Sequence, residues 1–203
     1  MSLYPLMLEG AAVSSLVVGG GSIATRKAAS LLAAGANVRV VAPSVSSEME
    51  ALTVANSALH IIRERYSSTH IGDALLIVAA TDDHAVNAMI AADARSLGRL
   101  VNVVSAPADG NCVTPAVHRA GDVVVAVTAA GVPAAAARIR DTIARLIDSR
   151  YADAVGQLSA LRRRLLDSGQ RDQWSAASAA LLGDDFCARV ESGRFSESAA
   201  EWR

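Results

Sequence analysis

Apolar and polar residues alternate along the first half of the chain in two distinct rhythms. Ser14–Val18 is a short apolar run that stops at three glycines, and Ala24–Ala34 then places Ala24, Ala28, Leu31 and Leu32 on one helical face before Gly35. Val38–Ala42 is a second strand closed by Pro43, followed by a helix near Ser46–Asn56 and a strand at Leu59–Arg63. Asp73–Ala80 is apolar from Ala74 onward, as expected of a strand buried on both faces. Thr81, Asp82 and Asp83 supply capping chemistry for a helix over His84–Leu97, and Leu100–Val104 completes the series. Strands alternating with helices predict an α/β, doubly wound parallel sheet of about five strands.

The rhythm changes after Ala106-Pro107. Asp109-Gly110-Asn111 reads as a turn and Asp122–Val127 as a strand flanked by His118 and Asp122, and Pro133 opens a helix running to about Asp148. From Tyr151 onward the pattern is helical, rich in Ala, Leu and Arg, with breaks near Gly169 and Gly183. The expected division is a dinucleotide-binding domain over 1–112, a middle segment over 113–149 and a small C-terminal helical domain over 150–203.

Composition narrows the function classes. The chain has 203 residues, and 52% of them are apolar, enough to bury a sizeable core. Aromatic residues make up 3% and the net charge is −1, which argues against a base-stacking or phosphate-tracking nucleic-acid binder. The two cysteines, Cys112 and Cys187, are too few for a disulfide framework or a cysteine-held metal, so reduced thiols are expected. No metal-ligand spacing is found among the histidines; His60, His70 and His84 read as solvated or capping residues. No apolar run reaches the roughly 18 residues that cross a bilayer, and no signal peptide is legible, so a cytoplasmic protein without membrane partners is expected.

The chemistry concentrates at Gly19-Gly20-Gly21-Ser22-Ile23-Ala24, which has the spacing of a dinucleotide fingerprint with Ala in the third place. Gly19 permits the tight turn, Gly21 lets backbone approach a pyrophosphate, and Ala24 allows helix and strand to pack closely. Free N–H groups around Ser22 and Ile23 then face the phosphate charge. The carboxylate expected after the second strand to hold the ribose hydroxyls is missing: the corner reads Ala42-Pro43-Ser44, with Glu48 too far on. No arginine occupies the usual 2′-phosphate position either, and NAD is favoured over NADP.

These motifs together resemble the precorrin-2 dehydrogenase/sirohydrochlorin ferrochelatase family of siroheme synthesis. The resemblance rests on Val17–Pro43 with its Arg26-Lys27 pair, Val78–Asp83, Val101–Pro107 and Val125–Arg140, and it extends into the tail with Arg162–Arg164 and Trp174. It implies NAD-dependent oxidation of precorrin-2 to sirohydrochlorin, often followed by insertion of Fe²⁺ as second substrate. It also implies a Rossmann-like domain, a middle dimerisation segment and a small helical domain, assembled as a homodimer. Cofactor contacts are implied at Ser22, Ile23, Pro43 and Ser44; with Gly19 and Gly21, Thr81 and Asn102 are assigned to the same ligand. Thr128, Gly131 and Arg138 are assigned to a substrate rich in carboxylates, which arginines can clamp; Arg119 and Arg140 are further candidates.

Two departures bear on the chemistry. Where the family has an Asp held to be its general acid/base, this chain has Ser105, whose hydroxyl has no pKa near neutrality. A serine of the family's glycine-rich loop is Ala129 here. Hydride removal needs chiefly proximity and orientation, whereas metal insertion needs pyrrole protons removed, so chelation is expected to suffer more. Ser105 and Asp109 are taken as catalytic candidates, with His118 and Asp122 as further substitutes for the missing carboxylate. The alternative is a non-catalytic NAD(P)-binding sensor or scaffold derived from the same family.

Overall fold

The computed structural model describes residues 3–202. Its contacts divide into two compact units, Met1–Thr114 and Pro115–Arg203.

The first unit is a five-stranded parallel sheet in the order β3-β2-β1-β4-β5 with helices on both faces. Its elements are β1 (Ser14–Val18), α1 (Ser22–Ala33), β2 (Asn37–Val41), α2 (Ser47–Ala55), β3 (Leu59–Ile62), β4 (Leu76–Ala79), α3 (His84–Ser96) and β5 (Leu100–Val103). The central strands are buried on both faces, with Leu16, Val17, Ile77 and Val101 at 0% exposure, which explains their unbroken apolar character. One face of the sheet packs Leu16, Ile77 and Val101 against Ile90, Ala91 and Ala94 of α3. The other packs Val17, Val38, Val40 and Val78 against Ala24 and Ala28 of α1 and Met49 of α2.

Local chemistry sets the element ends. Helix α1 starts two residues before the periodic pattern does, with Gly21 as its N-cap, and it closes through Gly35 at φ +86°. Helix α2 is capped by the Ser46 hydroxyl, which accepts from the Met49 amide at 3.2 Å. The Asp83 carboxylate caps α3, accepting from Ala85 and Val86 amides at 2.8 and 3.1 Å. Strand β4 is shorter than the apolar run implies: Gly72 turns at φ +48°, and the Asp73 carboxylate is held by Arg39 at 2.6 Å, so the strand begins at Leu76.

The second unit opens with an antiparallel hairpin of β6 (Ala116–Ala120) and β7 (Val123–Val127), turning at Gly121 with φ +56°. Strand β6 is a correction to the sequence reading: His118 lies inside a strand rather than flanking one, with its ring Nε2 2.6 Å from the Ile147 carbonyl oxygen. Helix α4 (Pro133–Leu146) follows with Pro at its first turn. It ends before Asp148, whose carboxylate instead caps α5 (Ser149–Asp167) by accepting from the Arg150 amide at 2.9 Å. Helices α6 (Arg171–Leu181), α7 (Phe186–Glu191) and α8 (Phe195–Ala200) complete a helical cluster around Leu161, Leu165, Leu181 and Phe195. The break near Gly193, at φ +78°, is one the sequence pattern does not signal.

Candidate functional site

All five strands of the first sheet run in parallel, so their carboxyl ends share one edge, where open α/β sheets place ligands. A cavity of about 1110 Å³ lies along that edge. The turns after β1, β2 and β4 and the exit of β5 all reach it, bringing together Gly19–Ile23, Pro43-Ser44, Thr81–Asp83 and Ser105.

The three glycines of the first turn have three different jobs. Gly19 adopts φ +129°, and a Cβ there would stand 2.3 Å from the Ala80 carbonyl oxygen. At Gly20 a Cβ would meet the Ser44 carbonyl oxygen at 1.9 Å, and the Gly20 carbonyl accepts from the Ser46 amide at 2.8 Å. At Gly21 a Cβ would touch nothing within 4 Å; it would project into open space at the cleft. The first two glycines therefore let three strand exits close on one another, and the third keeps a path open for a bulky ligand. The role of Gly20 is not legible in the spacing, because its neighbour Ser44 is remote in sequence.

Gly21 caps α1 with no side chain, leaving first-turn amides at Ser22 and Ile23 without a capping partner. These amides and the helix dipole suit a phosphate group, and the open space above Gly21 fits a pyrophosphate. Ala24 is fully buried against the sheet.

The β4 corner is fixed by a residue the sequence reading did not single out. Asn87, 2% exposed in α3, accepts from the Thr81 hydroxyl at 2.7 Å and the Thr81 amide at 3.2 Å, and donates to the Thr81 carbonyl at 2.9 Å. Its Nδ2 also lies 3.3 Å from the Ser105 Oγ, which accepts. A polar residue on the buried face of an Ala-rich helix was the available signal.

Two further expected residues of the first unit do not line the cavity. Asn102 is buried and does not line the cavity: its Nδ2 donates to the Cys112 carbonyl at 3.2 Å, and its Oδ1 has no partner. Asp109 sits in a short 3₁₀ turn away from the cavity, its carbonyl accepting from Arg95. Thr128, Gly131 and Arg138 belong to the second unit, where all three are exposed. Arg140 is paired with Asp141 at 2.7 Å. Lys27 donates to the Thr114 hydroxyl, and burial holds its pKa below the usual lysine range. The nearby Cys112 thiol is pushed up, also by burial. Tyr66, on the cleft wall, is raised by burial and by its hydrogen bond to the Asp93 carboxylate at 3.0 Å. Among the described residues, no cluster of His, Cys, Asp or Glu has the makings of a metal site, and no helix is long and apolar enough to cross a membrane.

Comparison with known proteins agrees with this geometry. A family model described as NAD(P)-binding matches residues 6–116. This chain belongs to that NAD(P)-binding family. Siroheme synthase of Saccharophagus degradans is 38% identical over 168 residues, covering 82% of this chain and 36% of that protein. Siroheme synthase of Chromobacterium violaceum is 36% identical over 207 residues, covering 94% of this chain and 43% of the relative. The chain thus spans less than half the length of these curated relatives. A solved structure of SirC, a precorrin-2 dehydrogenase, matches with a TM-score of 0.76 and 27% identity, covering 98% of both chains. The resemblance read from the motifs is therefore matched by siroheme synthase relatives, and the Rossmann-like fold by the SirC structure.

Proposed function

We propose that this chain is an NAD-dependent precorrin-2 dehydrogenase of siroheme biosynthesis. The observation that carries the reading is one cleft holding both the glycine turn at Gly19–Ile23 and Ser105, which the family resemblance sets where an acidic residue is expected. In this reading Ser22 and Ile23 amides receive the pyrophosphate, and Pro43 and Ser44 border the adenosine end. Thr81, held on three sides by Asn87, lines the reacting end.

A dinucleotide held by Gly19–Ile23, Pro43 and Ser44 would supply a hydride acceptor for a substrate C–H bond; with the proton released to solvent, precorrin-2 would give sirohydrochlorin, reduced cofactor and H⁺. The chain's task is to hold the two partners at reacting distance and exclude bulk water, which needs no residue that titrates near neutrality. Ser105 can donate or accept a hydrogen bond but does not remove a pyrrole proton at neutral pH, so insertion of Fe²⁺ is weak or absent.

Thr128, Gly131 and the exposed Arg138 of the second unit are proposed as contacts for the substrate carboxylates. The middle segment is proposed to pair two copies as a homodimer. Its exposed apolar residues support this, with Val132 at 53%, Ile139 at 46% and Leu146 at 58% exposure. A cytoplasmic location is supported by the free cysteines Cys112 and Cys187.

Incubation of the purified chain with precorrin-2 and NAD is expected to produce the sirohydrochlorin absorption spectrum. A rate no greater than that without protein would overturn the proposal.

A further inference from the structure

The cofactor of the proposed reaction changes charge when it reacts. The oxidised nicotinamide ring is a cation and the reduced ring is neutral, while the pyrophosphate, riboses and adenine are the same in both forms. A charged side chain therefore tells the two forms apart only if it stands at the reacting end of the cleft.

The sheet order fixes which end that is. The glycine turn follows β1, and Pro43 and Ser44 at the adenosine end follow β2. In the order β3-β2-β1-β4-β5, the reacting end lies on the other side of β1, over the exits of β4 and β5. Among the described residues, the carboxylates that line the cavity are all at this end: Asp82 and Asp83, just past the close of β4. Arg65, the one Arg or Lys among the described residues on the wall, follows β3 at the far end. The two carboxylates are not equivalent. Asp83 accepts from the Ala85 and Val86 amides at 2.8 and 3.1 Å and is committed to capping α3. Asp82 is exposed on the cavity wall and has neither an ion pair nor a hydrogen bond among the described residues. The residue before it, Thr81, is held by Asn87 through its amide, hydroxyl and carbonyl. An unpaired negative charge thus follows a fixed corner at the end of the cleft where the ring would lie.

We propose that Asp82 selects the oxidation state of the cofactor, so that the cleft holds NAD⁺ more tightly than NADH and gives up the reduced form as product. The carboxylate attracts the pyridinium ring, and that attraction ends once a hydride has arrived and the ring is neutral. The preference serves capture of the oxidised form and release of the reduced one, and leaves the hydride transfer itself to positioning. The inference rests on the cleft being an NAD site with its reacting end at β4, and it is independent of which substrate is oxidised.

The test is equilibrium binding by the full chain without any tetrapyrrole, with NADH followed by its fluorescence and NAD⁺ by its displacement of NADH. His84 also lines this wall, so the titrations are run at about pH 8, above the range in which an imidazole ordinarily carries charge. The parent is expected to bind NAD⁺ about threefold or more tighter than NADH, the size that a solvent-screened charge pair allows. Asp82→Asn keeps the shape and removes the charge; it is expected to weaken NAD⁺ about threefold or more and NADH by less than about twofold. Asp82→Glu should retain the preference, and added salt should shrink the ratio of the two affinities in the parent but not in Asp82→Asn. The side chain is exposed, so both variants should melt with the parent. Equal weakening of both forms by Asp82→Asn would mean that Asp82 holds ribose hydroxyls or orders the loop, and the proposal would fall. A parent that prefers NADH, or an Asp82→Asn variant with the parent's ratio, would also overturn it. Failure of both forms to bind would remove the cofactor reading itself along with this inference.

Discussion

The side-chain amide of Asn87 links the two functional corners of the cleft: its Nδ2 donates to the Thr81 carbonyl at 2.9 Å and lies 3.3 Å from Ser105 Oγ. A single buried residue of α3 thereby sets the orientation of the β4 exit and contributes to that of the β5 exit. It also defines the environment that any side chain at position 105 meets, namely an N–H donor and no opposing carboxylate partner on that atom.

That environment favours an ionised acid. In Ser105→Asp the Asn87 donor would stabilise the charged form of the new carboxylate and keep it available as a base at neutral pH. Insertion of Fe²⁺ or Co²⁺ into sirohydrochlorin, followed by absorbance, is expected to rise about tenfold or more. Precorrin-2 oxidation should change by less than about threefold, because it draws on positioning rather than a titrating group. An equal change in both activities would contradict this assignment.

Gly20 and Gly21 are expected to separate folding from binding. Gly20→Ala drives a methyl into the Ser44 backbone carbonyl, where the contact would be 1.9 Å, so the strand exits must part. A stability loss of about 2 kcal/mol or more is expected in urea unfolding. Gly21→Ala meets no protein atom within 4 Å and should melt with the parent, yet lose about tenfold or more in nucleotide affinity. Equal affinities for the parent and Gly21→Ala would show that the pyrophosphate does not cross this turn.

Tyr66 should contribute an alkaline limb to stability. Burial, then the Asp93 bond, raises its pKa above the ordinary phenol value, so the native state holds the proton more tightly than the unfolded chain. That contribution is complete below the unfolded-state pKa of about 10 and fades as pH climbs beyond it. Tyr66→Phe is expected to cost about 1 kcal/mol at pH 7, with the gap to the parent narrowing above about pH 10. A gap that stays constant to pH 11 would show that the hydroxyl is not coupled to folding.

Ala130 offers a gain. It sits at φ +41°, the left-handed region that costs a residue with a Cβ about 1 kcal/mol or more. Ala130→Gly removes that strain while adding unfolded-state entropy, leaving a net stabilisation on the order of 0.5 kcal/mol. Thermal unfolding that shows a loss instead would mean that the Ala130 methyl makes packing contacts worth more than the strain.

The parts of this molecule legible in sequence are those in which neighbours in the chain are neighbours in space. Ser14–Val18, the glycine turn and α1 form such a stretch, and their pattern, cap and Gly35 terminator can be read in order. The capping role of Asp83 is legible for the same reason. Strand β6 is not, because His118 and Arg119 interrupt its apolar pattern and its partner lies in β7. At Asn102 the motif assigns the cofactor, and the fold adds a contact that the motif does not signal, its amide donating to the Cys112 carbonyl of the returning chain. Gly20 and Asn87 matter through residues that only the sheet order brings alongside, and local spacing carries no trace of that.

The parallel register of the sheet has a consequence for how this cleft tolerates change. Ser44, Thr81 and Ser105 each follow a different strand whose length is locked to its neighbours by hydrogen bonds, Val18 beside Val41 and Ala79 beside Val103. Removing one residue from β5 would draw the loop that carries Ser105 back along the sheet and invert every side chain that followed, turning interior positions outward. The strands therefore work as a gauge whose graduations are whole residues. A side chain exchanged at Ser44 or Ser105 leaves that register untouched, whereas a residue removed from a strand does not.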